Sequence, residues 1–268
     1  MPAWRLLGAS VTGTSHEKGG LAGQDAHGYR EVPGGVLLAV ADGAGSAERS
    51  AAGSRVAAAS ILDAVSMALV NGWPASLQVW RDIFFDAYAR AKDSLEQLAA
   101  GEALPARAFA TTLLCAALSD DVLAVAQLGD GVATAFSLGG AQGRNAGGEW
   151  FLAAEPQRGE YANETYFLSQ AGALQRLDIY VYAEPVRALA LMTDGLLRLV
   201  LDAKHLPHVP FFQPLLTFGV ETEDQTLAEA QLAAFLASER VCARTDDDKT
   251  IVLALRLPSG WELNRERL

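Results

Sequence analysis

Cysteine is scarce in this chain: Cys115 and Cys242 are the only two among 268 residues. A single pair, even if joined, is no scaffold for a disulfide-built secreted domain. Cys115 lies inside an apolar run and reads as a small core side chain. Basic residues are outnumbered, with 21 Lys and Arg against 32 Asp and Glu, a formal net charge of -11. DNA and RNA draw most of their affinity from cations, so this balance argues against a nucleic-acid partner. It does not exclude phosphate chemistry, because acids gathered at one place can hold divalent cations that then meet a phosphate. Spread over the surface, the same surplus simply favours solubility. No apolar stretch reaches the ~20 residues of a membrane span. The opening Met-Pro-Ala-Trp-Arg has no long apolar region of the signal-peptide kind. Repeats, low-complexity tracts and long linkers are also lacking. The expectation is a cytoplasmic protein that engages no membrane.

What is present is a hydrophobic fraction of 50% beside a charged fraction of 20%, the balance of a folded globular chain. Length alone allows one large domain or two small ones; without a linker, the reading is a single domain over 1–268. Short runs rich in Val and Leu, bounded by Gly or Asp, read as buried strands. They include Val36 to Ala41, Thr111 to Leu118, Val122 to Leu128, Ala188 to Met192 and Ile251 to Leu255. Ser119-Asp120-Asp121 separates the second from the third, which predicts an antiparallel hairpin.

Helical spacing predicts helices over Arg49 to Val70, with Ser46 as a cap near its start, over Ser76 to Ala99, and over Thr226 to Glu239. The second is amphipathic, with Leu77, Trp80, Phe84, Tyr88 and Leu95 on one side. Hairpins with segregated helices predict an α+β architecture, sheets in the middle and helices outside. The polar, Gly-rich segment 139–172 reads as a surface excursion or flap.

Three of the apolar runs end alike: Ala41-Asp42-Gly43, Gly129-Asp130-Gly131 and Thr193-Asp194-Gly195. Asp246-Asp247-Asp248 precedes the strand that begins at Lys249, and Asp25 follows Gln24 in an early Gly-rich segment. One Asp-Gly is ordinary turn chemistry, and Asp130 alone could sit at a hairpin corner. Three, each closing a buried strand, point to converging loops, where ligands commonly bind. Converging carboxylates repel: two unit charges ~4 Å apart at an effective dielectric near 20 oppose each other by about 4 kcal/mol. Either some hold protons or a cation sits among them. An all-oxygen set without clustered His or Cys suits Mg²⁺ or Mn²⁺ and not Zn²⁺.

Read in order, the fragments resemble the metal-dependent serine/threonine protein phosphatases of type 2C, the PPM family. They are Gly23-Gln24-Asp25-Ala26, Val40-Ala41-Asp42-Gly43-Ala44-Gly45, Ala110-Thr111-Thr112-Leu113, Leu128-Gly129-Asp130-Gly131, Met192-Thr193-Asp194-Gly195-Leu196 and Asp247-Asp248-Lys249-Thr250. A bacterial branch is the nearer likeness, carried by Ser15-His16-Glu17, by Ser46 after Asp42-Gly43-Ala44-Gly45, and by Gly159 to Thr165. The resemblance implies a four-layer α-β-β-α sandwich of two antiparallel sheets flanked by helices. It also implies two Mg²⁺ or Mn²⁺ ions in a cleft at one end, with a third, weaker ion in bacterial members.

Carried across residue by residue, Asp42 would bridge the two ions, with the Gly43 carbonyl and Asp25 completing one of them. Asp194 and Asp247 would hold the other, and Asp130 with Asp194 the third. Asp248 stands where many relatives carry Asn and is expected to act behind the ligands; Asp246 is a neighbour. The reaction implied is hydrolysis of phosphoserine or phosphothreonine in a protein by metal-activated water, with no covalent intermediate, and a cognate serine/threonine kinase is the partner expected to oppose it.

The chain also departs from the eukaryotic pattern. Ala44 replaces a His, and Gly19, Gly20 and Leu21 occupy the neighbourhood of a phosphate-gripping Arg. His16 is the candidate to supply a proton in their place. Thr111 and Thr112 are expected to pack within a strand, and Gly159 to Thr165 to form a flap loop. The alternative function is a pseudophosphatase that binds a phosphorylated partner without turnover. The retained aspartates favour the enzyme, and the missing His and Arg favour the binder.

Overall fold

The computed structural model describes residues 4–137, 148–157, 165–222 and 224–257. Ten strands form two five-stranded sheets, and every pairing is antiparallel. In chain order they are β1 (Trp4–Val11), β2 (Ala26–Val32), β3 (Gly35–Ala41), β4 (Leu113–Ser119), β5 (Leu123–Leu128), β6 (Val132–Ser137), β7 (Glu149–Ala154), β8 (Asp178–Tyr182), β9 (Val186–Met192) and β10 (Lys249–Arg256). One sheet runs β1-β10-β9-β6-β7 and the other β2-β3-β4-β5-β8. The helices are α1 (Thr14–Lys18), α2 (Ser50–Ala68), α3 (Leu77–Gly101), α4 (Leu197–Val200), α5 (Val209–Glu221), α6 (Gln225–Leu236) and α7 (Glu239–Cys242).

The two-residue period of a strand explains the layering. In β3, Leu37, Ala39 and Ala41 pack toward α2 and α3, while Val36, Leu38 and Val40 pack into the space between the sheets. In β10, Val252 and Ala254 face the same inter-sheet space, while Ile251, Leu253 and Leu255 face α5 and α6. Three apolar layers therefore separate four layers of structure, the expected α-β-β-α sandwich. Because both faces of the central strands are covered, they read as continuous apolar runs rather than as alternation.

The helix α3 buries Trp80, Phe84, Ala87, Tyr88, Ala91, Leu95 and Ala99, a three-to-four-residue repeat. Ser76 caps it by accepting the Gln78 N–H at 3.2 Å. Tyr88 places its hydroxyl 2.9 and 2.7 Å from the carbonyls of Leu113 and Ala126, tying the helix to β4 and β5. Leu77, expected on the buried side, is exposed at the first turn, where no layer lies beneath it.

Several expectations are corrected. Ser46 does not cap α2; the N-cap is Arg49, with no side-chain bond, and backbone bonds hold this start, Arg49 N–H reaching the Ala108 carbonyl at 2.8 Å. The helix Ser50–Asn71 is long and apolar enough by length and composition for a membrane span, with a mean hydropathy of 1.4. It packs Ala57, Ile61, Leu62 and Val65 into the core with α3 and β3, as a core helix does. Part of the expected excursion is strand β7, whose Trp150, Ala153 and Ala154 are buried. Residues 139–147 and 158–164 of that segment lie outside the described residues. Helix α5, with Pro210 near its start and Pro214 inside it, was not foreseen; two prolines mask a helical pattern.

Candidate metal centre

The register of the strands brings the aspartates together. Ala26 pairs with Ala41, so Asp25 before β2 lies beside Asp42 after β3. Met192 pairs with Ile251 and with Val132, so Asp194 after β9 lies beside both the Asp246–Asp248 run before β10 and Asp130 before β6. Asp130 is therefore no hairpin corner: it lies on the crossover from β5 in one sheet to β6 in the other. Gly129 takes φ +114 there, a conformation that a side chain would strain. Gln127 fixes the crossover by donating from Nε2 to the carbonyls of Gly129 and Gly131, at 3.0 and 2.6 Å.

Asp42, Asp130 and Asp194 each offer a carboxylate oxygen within 4.8 Å of the others. Asp25 joins them electrostatically: its charge acts on Asp42, and Asp194 acts on it. Asp247 is exposed and lies within electrostatic reach of Asp130 and Asp194. Burial is the largest cause pushing the Asp25 carboxyl up to about 7 and that of Asp194 to about 6. Burial, then the charges of Asp25 and Asp194, holds Asp42 well above the ordinary carboxylate range, and burial raises Asp130. Contact with Asp194 adds to the rise of Asp42 and offsets part of the rise of Asp194. Crowding and burial therefore disfavour the charged forms of these carboxylates unless a cation sits among them.

Neighbouring groups hold these carboxylates in place. Thr112 N–H donates to the Asp42 carbonyl at 2.8 Å, as does the Thr111 hydroxyl at 2.9 Å, and Asp42 N–H donates to the Thr112 hydroxyl at 3.0 Å. Both threonines are buried, as expected, but their bonds clamp the Asp42 peptide. The Thr193 hydroxyl donates to Asp25 Oδ2 at 2.8 Å, and the Thr165 hydroxyl to Asp130 Oδ2 at 2.5 Å. A Cβ on Gly195 would stand 1.8 Å from the Asp248 carbonyl oxygen, so only glycine lets the exit of β9 pass so close to the start of β10.

Asp248 is different. It is buried, and its carboxylate accepts the N–H groups of Gly13 and Gln24, each at 2.6 Å, and faces His16 Nδ1 at 2.9 Å. It thereby ties the segment leading to Asp25 onto the start of β10. The neighbouring Asp246 uses only its carbonyl, accepting from the Ser15 N–H and hydroxyl. Lys249 is fully buried, and its Nζ donates to the carbonyls of Thr12 and Asp247. Among the described residues no Lys or Arg forms an ion pair with Asp25, Asp42, Asp130, Asp194 or Asp247.

The hydrogen-bond accounting tests whether cations fit. Asp25 Oδ1, Asp130 Oδ1 and Asp194 Oδ1 are each buried without a partner. Buried acceptors of this kind are ordinarily satisfied. Convergent, unsatisfied carboxylate oxygens with no nitrogen or sulfur donor among them suit hard divalent cations.

The family model for protein phosphatase 2C matches residues 12–237. The chain belongs to the protein phosphatase 2C family. It is 33% identical over 264 residues to serine/threonine-protein phosphatase 3 of Escherichia coli strain K12, covering 94% of this chain and 98% of that one. The fold resembles a crystal structure of a bacterial serine phosphatase, with TM-score 0.62 and 14% identity over 96% of this chain and 99% of that chain. It equally resembles the serine/threonine phosphatase of S. agalactiae, with TM-score 0.62 and 15% identity over 95% and 100% of the two chains. Sequence reasoning in the protein phosphatase 2C frame finds the aspartates. It misses Thr193, Thr165, Gly13 and Lys249, whose part is visible only once strand ends are adjacent.

Proposed function

We propose that this chain is a metal-dependent phosphoprotein phosphatase that hydrolyses phosphoserine and phosphothreonine. One observation carries the reading: aspartates from separate segments meet at one end of the sandwich with buried carboxylate oxygens left unpartnered. Family membership supports the reaction class. In this reading Asp25, Asp42, the Gly43 carbonyl, Asp194 and Asp247 would hold two Mg²⁺ or Mn²⁺ ions, and Asp130 with Asp194 would hold a third, weaker one. Such ions, when bound, neutralise phosphoryl oxygens and supply an activated water at neutral pH.

The chain's own groups do the rest. Water adds to phosphorus, the Ser or Thr oxygen departs, and that oxygen needs a proton. We assign the donor to His16, whose Nδ1 is held by Asp248, leaving Nε2 for a second partner. An imidazole oriented by a carboxylate presents a defined ring nitrogen. Asp248 acts as a positioning residue, because the backbone it grips at Gly13 and Gln24 carries both His16 and Asp25. The substrate is a phosphorylated protein, and a serine/threonine kinase is the natural opposing activity. We place the protein in the cytoplasm and treat 1–268 as one phosphatase domain.

The test uses purified protein with Mn²⁺, a phosphothreonine peptide and an aryl phosphate, beside Asp42→Asn and Asp194→Asn. Mn²⁺-dependent turnover lost in both variants supports the enzyme. Ala44, buried where a His is common in relatives, motivates the second reading, a pseudophosphatase. Tight phosphopeptide capture with Mn²⁺ bound but no turnover would select it.

A further inference from the structure

We propose a second ligand site, far from the strand ends in function: a cavity in the helical layer that takes a small anionic amphiphile. The cavity is about 790 Å³ and lies among α5, α6, α7 and the segment after α4. That volume is within the ~300–1,000 Å³ of pockets that enclose a small molecule. Phe211, Leu215 and Phe235 provide apolar lining, while Arg198, Arg240 and Arg244 supply three cations.

Charge decides the class of ligand. All three arginines are exposed, and none forms an ion pair among the described residues. Their charge is therefore not cancelled locally by a paired carboxylate. The one carboxylate on the cavity wall, Asp202, is engaged elsewhere, accepting the N–H groups of Lys204 and Leu206 at 2.7 and 3.0 Å. Three guanidinium groups beside an apolar pocket match a ligand with an aliphatic or aromatic body and a carboxylate or phosphate head. The body removes apolar wall from water, and the head receives forked, charge-assisted hydrogen bonds. A cationic or neutral amphiphile of the same body would gain only the first term.

The experiment reads binding without turnover, so it stands or falls separately from the phosphatase reading. Full-length protein is titrated with anilinonaphthalene sulfonate, followed by fluorescence, and the probe is then displaced with dodecanoate, dodecyl phosphate or dodecyltrimethylammonium. Saturable binding of one probe per chain, displaced by both anions but not by the cation, is the expected result. The tighter of the two anions names the headgroup. The double variant Arg198→Ser, Arg240→Ser alters only exposed positions and is expected to weaken the anions about tenfold or more. Gln231→Trp, which adds bulk from another exposed lining position, is expected to weaken the probe as well. Equal displacement by the cation, unchanged affinity in the arginine variant, or absence of saturable binding would overturn the proposal. So would sedimentation showing a dimer that the Arg198→Ser, Arg240→Ser change dissociates, since a second copy would then be the occupant.

Discussion

Two sets of acids at one end of this molecule face opposite fates. Asp248 is surrounded by donors, with two backbone N–H groups and a histidine on its carboxylate. Asp25, Asp130 and Asp194, from other strand ends, each keep a buried oxygen with no partner. A carboxylate that the protein itself satisfies holds the chain together. One that the protein leaves unsatisfied is destabilising until something from solution completes it. Sequence distance does not separate the classes: Asp247 and Asp248 are neighbours, yet one is exposed and the other is among the most enclosed polar groups.

The largest expected effect tests the unsatisfied set. Asp42→Asn should lower Mn²⁺-dependent phosphopeptide hydrolysis by about a thousandfold, equivalent to about 4 kcal/mol of transition-state stabilisation. The same change should leave metal-free thermal stability at pH 7.5 equal to or above the parent. Asn cannot ionise, so it removes one potential charge from a crowded, buried cluster. A variant that loses activity and also melts much earlier in chelator would place Asp42 in the structural set and blur the distinction.

The dependence of stability on pH tests the same set collectively. Burial and neighbouring charge raise Asp25 to about 7 and Asp194 to about 6 in the folded state, whereas an unfolded carboxyl titrates near 3.8. Between those limits the native state binds more protons than the unfolded one, so stability falls as pH rises. With respect to these groups the metal-free protein should therefore be most stable below about pH 4, and it should lose that contribution progressively as pH rises toward 7. It should lose on the order of a few kcal/mol by pH 8. Saturating Mn²⁺ replaces the protons, so its stabilisation should be greater at pH 8 than at pH 5.5. Scanning calorimetry in chelator and in Mn²⁺ at both pH values reads this directly. Equal Mn²⁺ shifts at the two would contradict it.

Asp248 should behave in the opposite sense. Replacing it with Asn removes the charge that two backbone N–H groups share and turns an amide donor toward one of them. The expected loss is about 2 kcal/mol in denaturant melts, with or without Mn²⁺. Some activity should survive, at a higher Mn²⁺ requirement, because the segment carrying Asp25 is loosened and no ligand is removed.

How much of this was legible in advance follows from the range of each interaction. The Asp-Gly pairs were visible because a strand end and its turn are local features, and order along the chain then matched a known family. The four-layer plan was readable because buried strands show as apolar runs. Strands β1, β2, β7 and β8 lie at sheet edges and carry polar residues such as Arg5, His27, Glu149 and Asp178, so they lack that contrast. Strand β6, although central, is a short run interrupted by Thr134 and Ser137, and none of the five is among the predicted runs. The distinction between Asp247 and Asp248 was out of reach, since the donors on Asp248 come from positions more than 220 residues away along the chain. The clamp of Thr111 and Thr112 on Asp42 spans about 70 residues and was hidden for the same reason.

Thr165 offers the finest test of the comparison. Its hydroxyl donates to Asp130 Oδ2 at 2.5 Å, so Asp130 has one oxygen satisfied and one not. This carboxylate lies between the two classes. The bond also favours the ionised form of Asp130 against burial, which raises it. Thr165→Val should therefore leave the fold intact and raise the Mn²⁺ concentration for half-maximal activity by about threefold, the effect of one modest hydrogen bond. The change should appear in the weakest phase of Mn²⁺ binding, to which the proposed function assigns Asp130, and not in the tightest. A shift confined to the tightest phase would move Asp130 into the central pair of sites. No shift at all would show that the Thr165 bond merely tethers the loop.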